Sequence, residues 1–174
     1  HSWSVWFRGT DSSGCLISRN PWGTDWNKGS KALFVRDGVL QYDAGWVGNP
    51  STGVGVTDDA WHHAAVTFRA DDDALAIYLD GQLHYAETFN TNAYDESETH
   101  NGGEAETGLF IGEANFSGGL SDLGKYDGLI DDVTMFTAAL SAEDVALIAS
   151  GAAFSGVVFA GEIDTEVPAE TLRA

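Results

Sequence analysis

At 174 residues, with 43% hydrophobic content including nine Phe, six Trp and five Tyr, the chain carries enough apolar mass for one large core and reads as one domain. Asp and Glu number 27 against eight Lys and Arg, a net charge of -19, which repels phosphate backbones and anionic headgroups and excludes nucleic acid as a partner. No run approaches the roughly 20 apolar residues of a membrane helix, so membrane insertion is excluded as well.

Abundant Gly (21 residues) and scarce Pro (3 residues) fit many short strands joined by tight turns. In chain order, the apolar alternations Trp3/Val5/Phe7, Leu33/Val35, Ala64/Val66/Phe68, Leu75/Ile77/Leu79 and Leu109/Ile111 each mark a strand with one face in a core. The first of these occupies the N-terminus where a secretory leader would show a basic and then an apolar run, so the sequence is expected to begin inside a larger precursor. Strands are predicted near 2–8, 15–19, 31–37, 39–43, 61–70, 74–79, 82–87, 108–112 and 128–136, with turns at Asp37-Gly38, Asp71-Asp72-Asp73 and Asp80-Gly81. One helix is predicted near 141–149: Ser141 caps it, Asp144 stands at capping-box spacing, Val145 and Ile148 share a face, and Gly151 ends it. Phe154 to Phe159 reads as a closing strand, and 162–174, acidic and aperiodic around Pro168, as a tail or linker after a domain spanning 1–161. The lone Cys15 excludes an intrachain disulfide and, within Gly14-Cys15-Leu16-Ile17, reads as a small buried hydrophobe. The self-repulsion of so acidic a chain is screened over about 3 to 8 Å at seawater-like or higher salt, which points to a marine or halophilic setting.

Four segments in order resemble laminin-G-like domains of the concanavalin A-like lectin and glucanase superfamily. They are Trp3-Ser4-Val5-Trp6-Phe7-Arg8, Leu16-Ile17-Ser18-Arg19, Trp61-His62-His63-Ala64-Ala65-Val66-Thr67-Phe68 leading into Ala76-Ile77-Tyr78-Leu79-Asp80-Gly81, and Gly128-Leu129-Ile130-Asp131-Asp132-Val133 with Ala139-Leu140-Ser141 and its helix. The resemblance covers about residues 2 to 150. It implies an all-β, two-sheet antiparallel jelly-roll sandwich with one short helix near the C-terminus, extracellular, binding glycans or proteins, often with calcium. The same sandwich also carries glycosidases and lyases, so the fold alone does not choose among activities.

If every predicted strand reverses direction, the connectors 20–30, 44–60, 80–81 and 113–127 gather at one rim, and 9–14, 38, 71–73 and 88–107 at the other. The first rim then holds Trp22, Trp26, Trp46 and Phe116 with Asp25, Asn27, Asn49 and Asp122. Aromatic faces stack on sugar C–H surfaces while Asp and Asn meet hydroxyls, so Trp22, Asp25, Trp26, Trp46, Asn49 and Asp122 are the candidate ligand-binding residues. The second rim holds Asp71 to Asp73 with Asp95, Glu96, Glu98, His100, Glu104 and Glu106 and reads as a solvated acidic loop. In the strand 128–136, either register sets Asp131 or Asp132 beside apolar neighbours, and a buried carboxylate needs a partner or a metal. The similarity to glucanases places an Asp two residues before the Val of this strand in a structural calcium site, which would be Asp131 with Ca²⁺. His62 and His63 are adjacent on a strand, face opposite sides and cannot grip one ion.

Two fragments bear on catalysis. Glu162-Ile163-Asp164-Thr165-Glu166 resembles the E-x-D-x-E strand of retaining glucanases, yet no predicted strand follows it to build a cleft. Gln82-Leu83-His84 resembles the Gln-x-His of some alginate lyases without that pattern's Arg and Tyr-rich strand. The expectation is therefore a non-catalytic, secreted polysaccharide-binding module appended to a larger protein, with an adhesion or protein-binding laminin-G-like module as the alternative and a hydrolase or lyase third.

Overall fold

The computed structural model describes residues 1–21, 30–45, 48–88, 107–114 and 123–151. Within these, ten strands run in chain order: β1 (Ser2–Gly9), β2 (Gly14–Pro21), β3 (Lys31–Arg36), β4 (Val39–Ala44), β5 (Ser51–Gly55), β6 (Trp61–Arg69), β7 (Ala74–Leu79), β8 (Gln82–Thr88), β9 (Thr107–Ile111) and β10 (Gly128–Phe136), followed by α1 (Ala142–Ala149). They form two antiparallel five-stranded sheets, β10-β1-β6-β7-β8 and β5-β4-β3-β2-β9. This is the jelly-roll sandwich that the alternation anticipated. The proposed closing strand at 154–159, the tail and the Glu162–Glu166 fragment lie outside the described residues.

The core follows from the period-2 pleat: Trp3, Val5 and Phe7 of β1 meet Leu33, Val35, Leu40 and Tyr42 of the facing sheet, with Ala64, Val66, Leu75 and Ile77 beside them. Burial goes further than one face per strand. On the outer side of the second sheet, Cys15, Ala32 and Phe34 pack under Leu123 and Ala114 of the β9–β10 connector. On the outer side of the first sheet, Ala65 and Tyr78 pack under Leu140 and Val145, with Phe136 and Ile148 against them. Burial pushes the Cys15 thiol pKa up to about 12, which keeps it protonated and unreactive.

α1 begins as its sequence dictates, with Ser141 and Asp144 each accepting from the other's backbone N–H. It lies across the β7–β8 hairpin, where Asp80 and Gly81 have φ of 51° and 77°, the pair of positive values that an Asp-Gly type I′ turn takes. Gly81 is required twice over, since a Cβ there would stand 3.2 Å from the Ala146 Cα of α1.

β5 was not anticipated, and it changes the geometry of both rims. Ser51-Thr52-Gly53-Val54-Gly55 offers only Thr52 and Val54 to the interior, on an edge strand with Gly53 at a φ of 70°. Because one extra strand reverses the chain once more, every later connector moves to the opposite end. The end holding Gly9 also holds 37–38, 56–60 and 80–81, and it holds the described flanks of the β9–β10 connector: Gly38 N–H donates to Ser12 O, Val56 N–H to Gly38 O, and Tyr126 N–H to Gly112 O. Asp127 N–H donates to the Asp11 carboxylate there. The far end holds Ser30, Gly45 and Gly48, with Gly45 N–H donating to Ser30 O at 2.7 Å, together with Asp71 to Asp73 and the strand ends Thr88 and Thr107. The predicted union of 20–30 with 80–81 and 113–127 is therefore corrected: the described flanks of these connectors lie at opposite ends.

Candidate functional site

The alternation that sends Trp3, Val5 and Phe7 inward leaves Ser4, Trp6 and Arg8 on the outer face of β1. Trp6 sits directly opposite Asp131 of β10, and Arg8 opposite Trp61 of β6. Between Ser4 and Trp6 the β1–β10 ladder carries a bulge, and Asp132 on the bulged strand has a φ of 47°. Asp132 N–H donates to Asp131 Oδ1 at 2.8 Å. The extra residue breaks the two-residue period, so that Ile130 and Val133, three apart, both pack on the core. Asp131 and Asp132 are both exposed. The expectation that one of these carboxylates lies among apolar neighbours is overturned by this bulge, and with it the burial argument for an ion at Asp131. Among the described residues no three His, Cys, Asp or Glu side chains converge to hold a metal, and Asp131 shares its surroundings with Asp132 as the one other carboxylate lining them.

These outer-face residues border an open pocket of about 340 Å³ lined by Trp6, Trp61, Asp131, Asp132 and Gly151. Trp61 is 40% exposed, so part of this large apolar side chain is open to solvent. Gly151 follows the C-cap Ser150 of α1 with a φ of 70° and brings the negative end of the helix to the pocket. Arg8 is engaged elsewhere, its Nε donating to Asp59 O at 2.8 Å and to Asp59 Oδ1 at 3.1 Å.

The two histidines face opposite ways, as expected. His62 bridges Asp80 Oδ2 (2.8 Å) and Asp58 Oδ1 (3.0 Å). Partial burial lowers its pKa, but the hydrogen bonds to Asp80 and Asp58 outweigh this and hold it above its ordinary value. His63 is fully buried, its Nε2 hydrogen-bonded to Ser4 Oγ at 2.8 Å and its ring 5.3 Å from Trp6. Its Nδ1 has no partner. Desolvation pushes it down to about 4, so it is neutral beneath the pocket at physiological pH. Asp80 organises the pair, since its other oxygen accepts from the His63 N–H at 2.8 Å.

Of the residues singled out from the sequence, Asn49 is exposed at the far end of the sandwich, and Trp22, Asp25, Trp26, Trp46 and Asp122 lie outside the described residues. Gln82, Leu83 and His84 are exposed on the edge strand β8. Sequence reasoning missed Trp6 and Trp61 as site residues, although the β1 alternation already placed Trp6 away from the core.

A two-sheet antiparallel jelly roll of this topology defines the concanavalin A-like class of sandwiches, which carries lectins and glucanases alike. The chain belongs to the laminin G family of the concanavalin A-like lectin/glucanases superfamily, whose family model matches residues 1–146. No curated protein matches its sequence. Among solved structures it is similar to the CBM40 module of the Ruminococcus gnavus IT-sialidase bound to α2,3-sialyllactose, at a TM-score of 0.66 and 11% identity over 85% of this chain and 80% of that one. Domain 4 of an extracellular arabinanase from Geobacillus stearothermophilus, in complex with arabinotriose, gives 0.57 and 19% over 85% and 65%. Domains LG4-5 of the mouse laminin α1 chain give 0.56 and 15% over 82% and 36%. At these identities the likeness shows the fold.

Proposed function

We propose that this chain is a non-catalytic module that binds extracellular polysaccharide and holds a larger secreted protein, or the cell that bears it, near that polymer. The observation that carries the reading is the outer-face pocket, in which two indoles stand beside two exposed carboxylates. An indole face covers the C–H surface of a pyranose while carboxylate oxygens accept from its hydroxyls, and a preformed concavity sets the orientation. Membership in a lectin and glucanase superfamily supports it, as do the similar domains solved with arabinotriose and sialyllactose. Stacking on one ring contributes about 1 kcal/mol beyond area burial, so a single module should bind at about micromolar to millimolar Kd, with retention rising when several act together. No catalytic role is proposed.

The loop residues Trp22, Asp25, Trp26, Trp46 and Asn49 remain the competing candidates for the same ligand class. A protein partner, as in adhesion, is the second reading, favoured by exposed Leu129 and Met135 on the edge strand β10. Among the described residues no helix is long and apolar enough to cross a membrane. A glycan array probed with the intact chain tests the proposal: binding to a defined set of glycans is expected, and uniform silence across it, alongside binding to a protein ligand, would replace this reading with adhesion.

A further inference from the structure

We propose that the outer-face pocket selects a glycan bearing a protonated amine, an N-deacetylated amino sugar, over neutral and acidic glycans. The inference rests on the polysaccharide-binding reading and narrows its ligand. Four features of the same pocket converge on a cation. Asp131 and Asp132 both line it and both are exposed, so their oxygens are accessible to accept charge-assisted hydrogen bonds from an ammonium entering it. Trp6 and Trp61 supply indole faces, the strongest of the aromatic partners for a cation. Gly151 sets the negative end of α1 at the rim, and the last turn of that helix carries no basic residue. Among the described residues no cation lines the pocket, Arg8 on the neighbouring strand pair being committed to Asp59 and His63 under Trp6 being neutral. The net charge of -19 adds a long-range attraction for cations and a repulsion for carboxylated or sulfated polymers.

The test uses the full chain and three β1,4-linked tetrasaccharides of glucosamine, N-acetylglucosamine and glucose, titrated calorimetrically with EDTA present at about pH 6, where an amine of ordinary basicity is protonated. The glucosamine oligomer is expected to bind at least tenfold more tightly than the other two. Asp131→Asn and Asp132→Asn should each remove most of that preference, while Asp37→Asn, the same charge change on the other sheet, should leave it. Trp61→Ala should weaken binding of all oligomers that bind. Melting temperatures of the variants confirm folding, which these exposed positions do not threaten. Equal binding of the three oligomers, or a preference that survives both pocket Asn variants or falls equally with Asp37→Asn, would overturn amine selection and leave the polysaccharide reading intact. If none of the three binds and the glycan array is also silent, the polysaccharide reading fails and this inference with it.

Discussion

Acidification should destabilise the sandwich through one residue, His63. Its ring is fully buried between β1 and β6, hydrogen-bonded to Ser4 Oγ, with Nδ1 unpartnered, and desolvation takes it from an ordinary 6.5 to about 4. The unfolded chain takes up a proton near pH 6.5 while the folded chain resists until about 4, so stability falls as pH drops through this window. The full displacement sets a ceiling of about 3 kcal/mol, and about 2 kcal/mol of it is lost by about pH 5. For a domain of this size that corresponds to roughly 4 to 8 °C in Tm. His62 works in the opposite sense: raised by its two aspartates, it contributes stability that is present below its ordinary pKa and is lost as pH rises through the folded value. The assay therefore compares the wild type with His63→Gln, which keeps a hydrogen-bonding group at the Nε2 position, by thermal melts between about pH 5 and 7.5, with His62 and its Asp58 and Asp80 partners retained in both proteins. The wild type should lose about 2 kcal/mol more than the variant over that range. Parallel pH profiles, or an NMR titration placing His63 near its ordinary pKa, would refute the reasoning.

Gly81→Ala should cost about 2 to 4 kcal/mol in denaturant unfolding, because it forces a side chain onto a φ of 77° and drives a Cβ to 3.2 Å from Ala146 Cα. Ser141→Ala removes half of the capping box and should cost about 1 kcal/mol, read as a lower denaturation midpoint at unchanged m-value. A calcium ion held in part by Asp131, as the glucanase resemblance implies, would show as a Tm that EDTA lowers by several degrees in the wild type and not in Asp131→Asn, and an unchanged wild-type Tm would remove the ion from the account.

The elements that could be read from the sequence are those whose local chemistry and burial agree. Trp3/Val5/Phe7 and Leu75/Ile77/Leu79 alternate because one face of each strand meets the core, and Ser141 with Asp144 forms the box its spacing announces. β5 was invisible because two glycines and two inward residues leave no period to detect. That omission propagated, since each strand reverses the chain, and it gathered connectors from both ends into one rim. The bulge at Asp132 was equally silent: strict alternation put one aspartate of the pair inward, whereas the inserted residue turns both outward and beside Trp6. Trp22, Trp26 and Trp46 stand in segments without alternation, whereas Trp6 and Trp61 stand on strands, where the pattern of one strand does not separate an outward site residue from a packed one. A site assembled across three strands and a helix end depends on register, which single-strand patterns do not encode.

The central claim, that the outer face of the first sheet binds glycan through Trp6, Trp61, Asp131 and Asp132, is tested most directly by one comparison. Retention of Trp61→Ala, Trp26→Ala and Trp46→Ala in affinity gels cast with a polysaccharide identified on the array is set against that of the wild type. The account predicts that Trp61→Ala loses about tenfold in affinity at unchanged Tm while the two loop variants migrate as the wild type does. Full retention of Trp61→Ala, with loss in Trp26→Ala or Trp46→Ala, would contradict it and assign binding to the loop tryptophans instead.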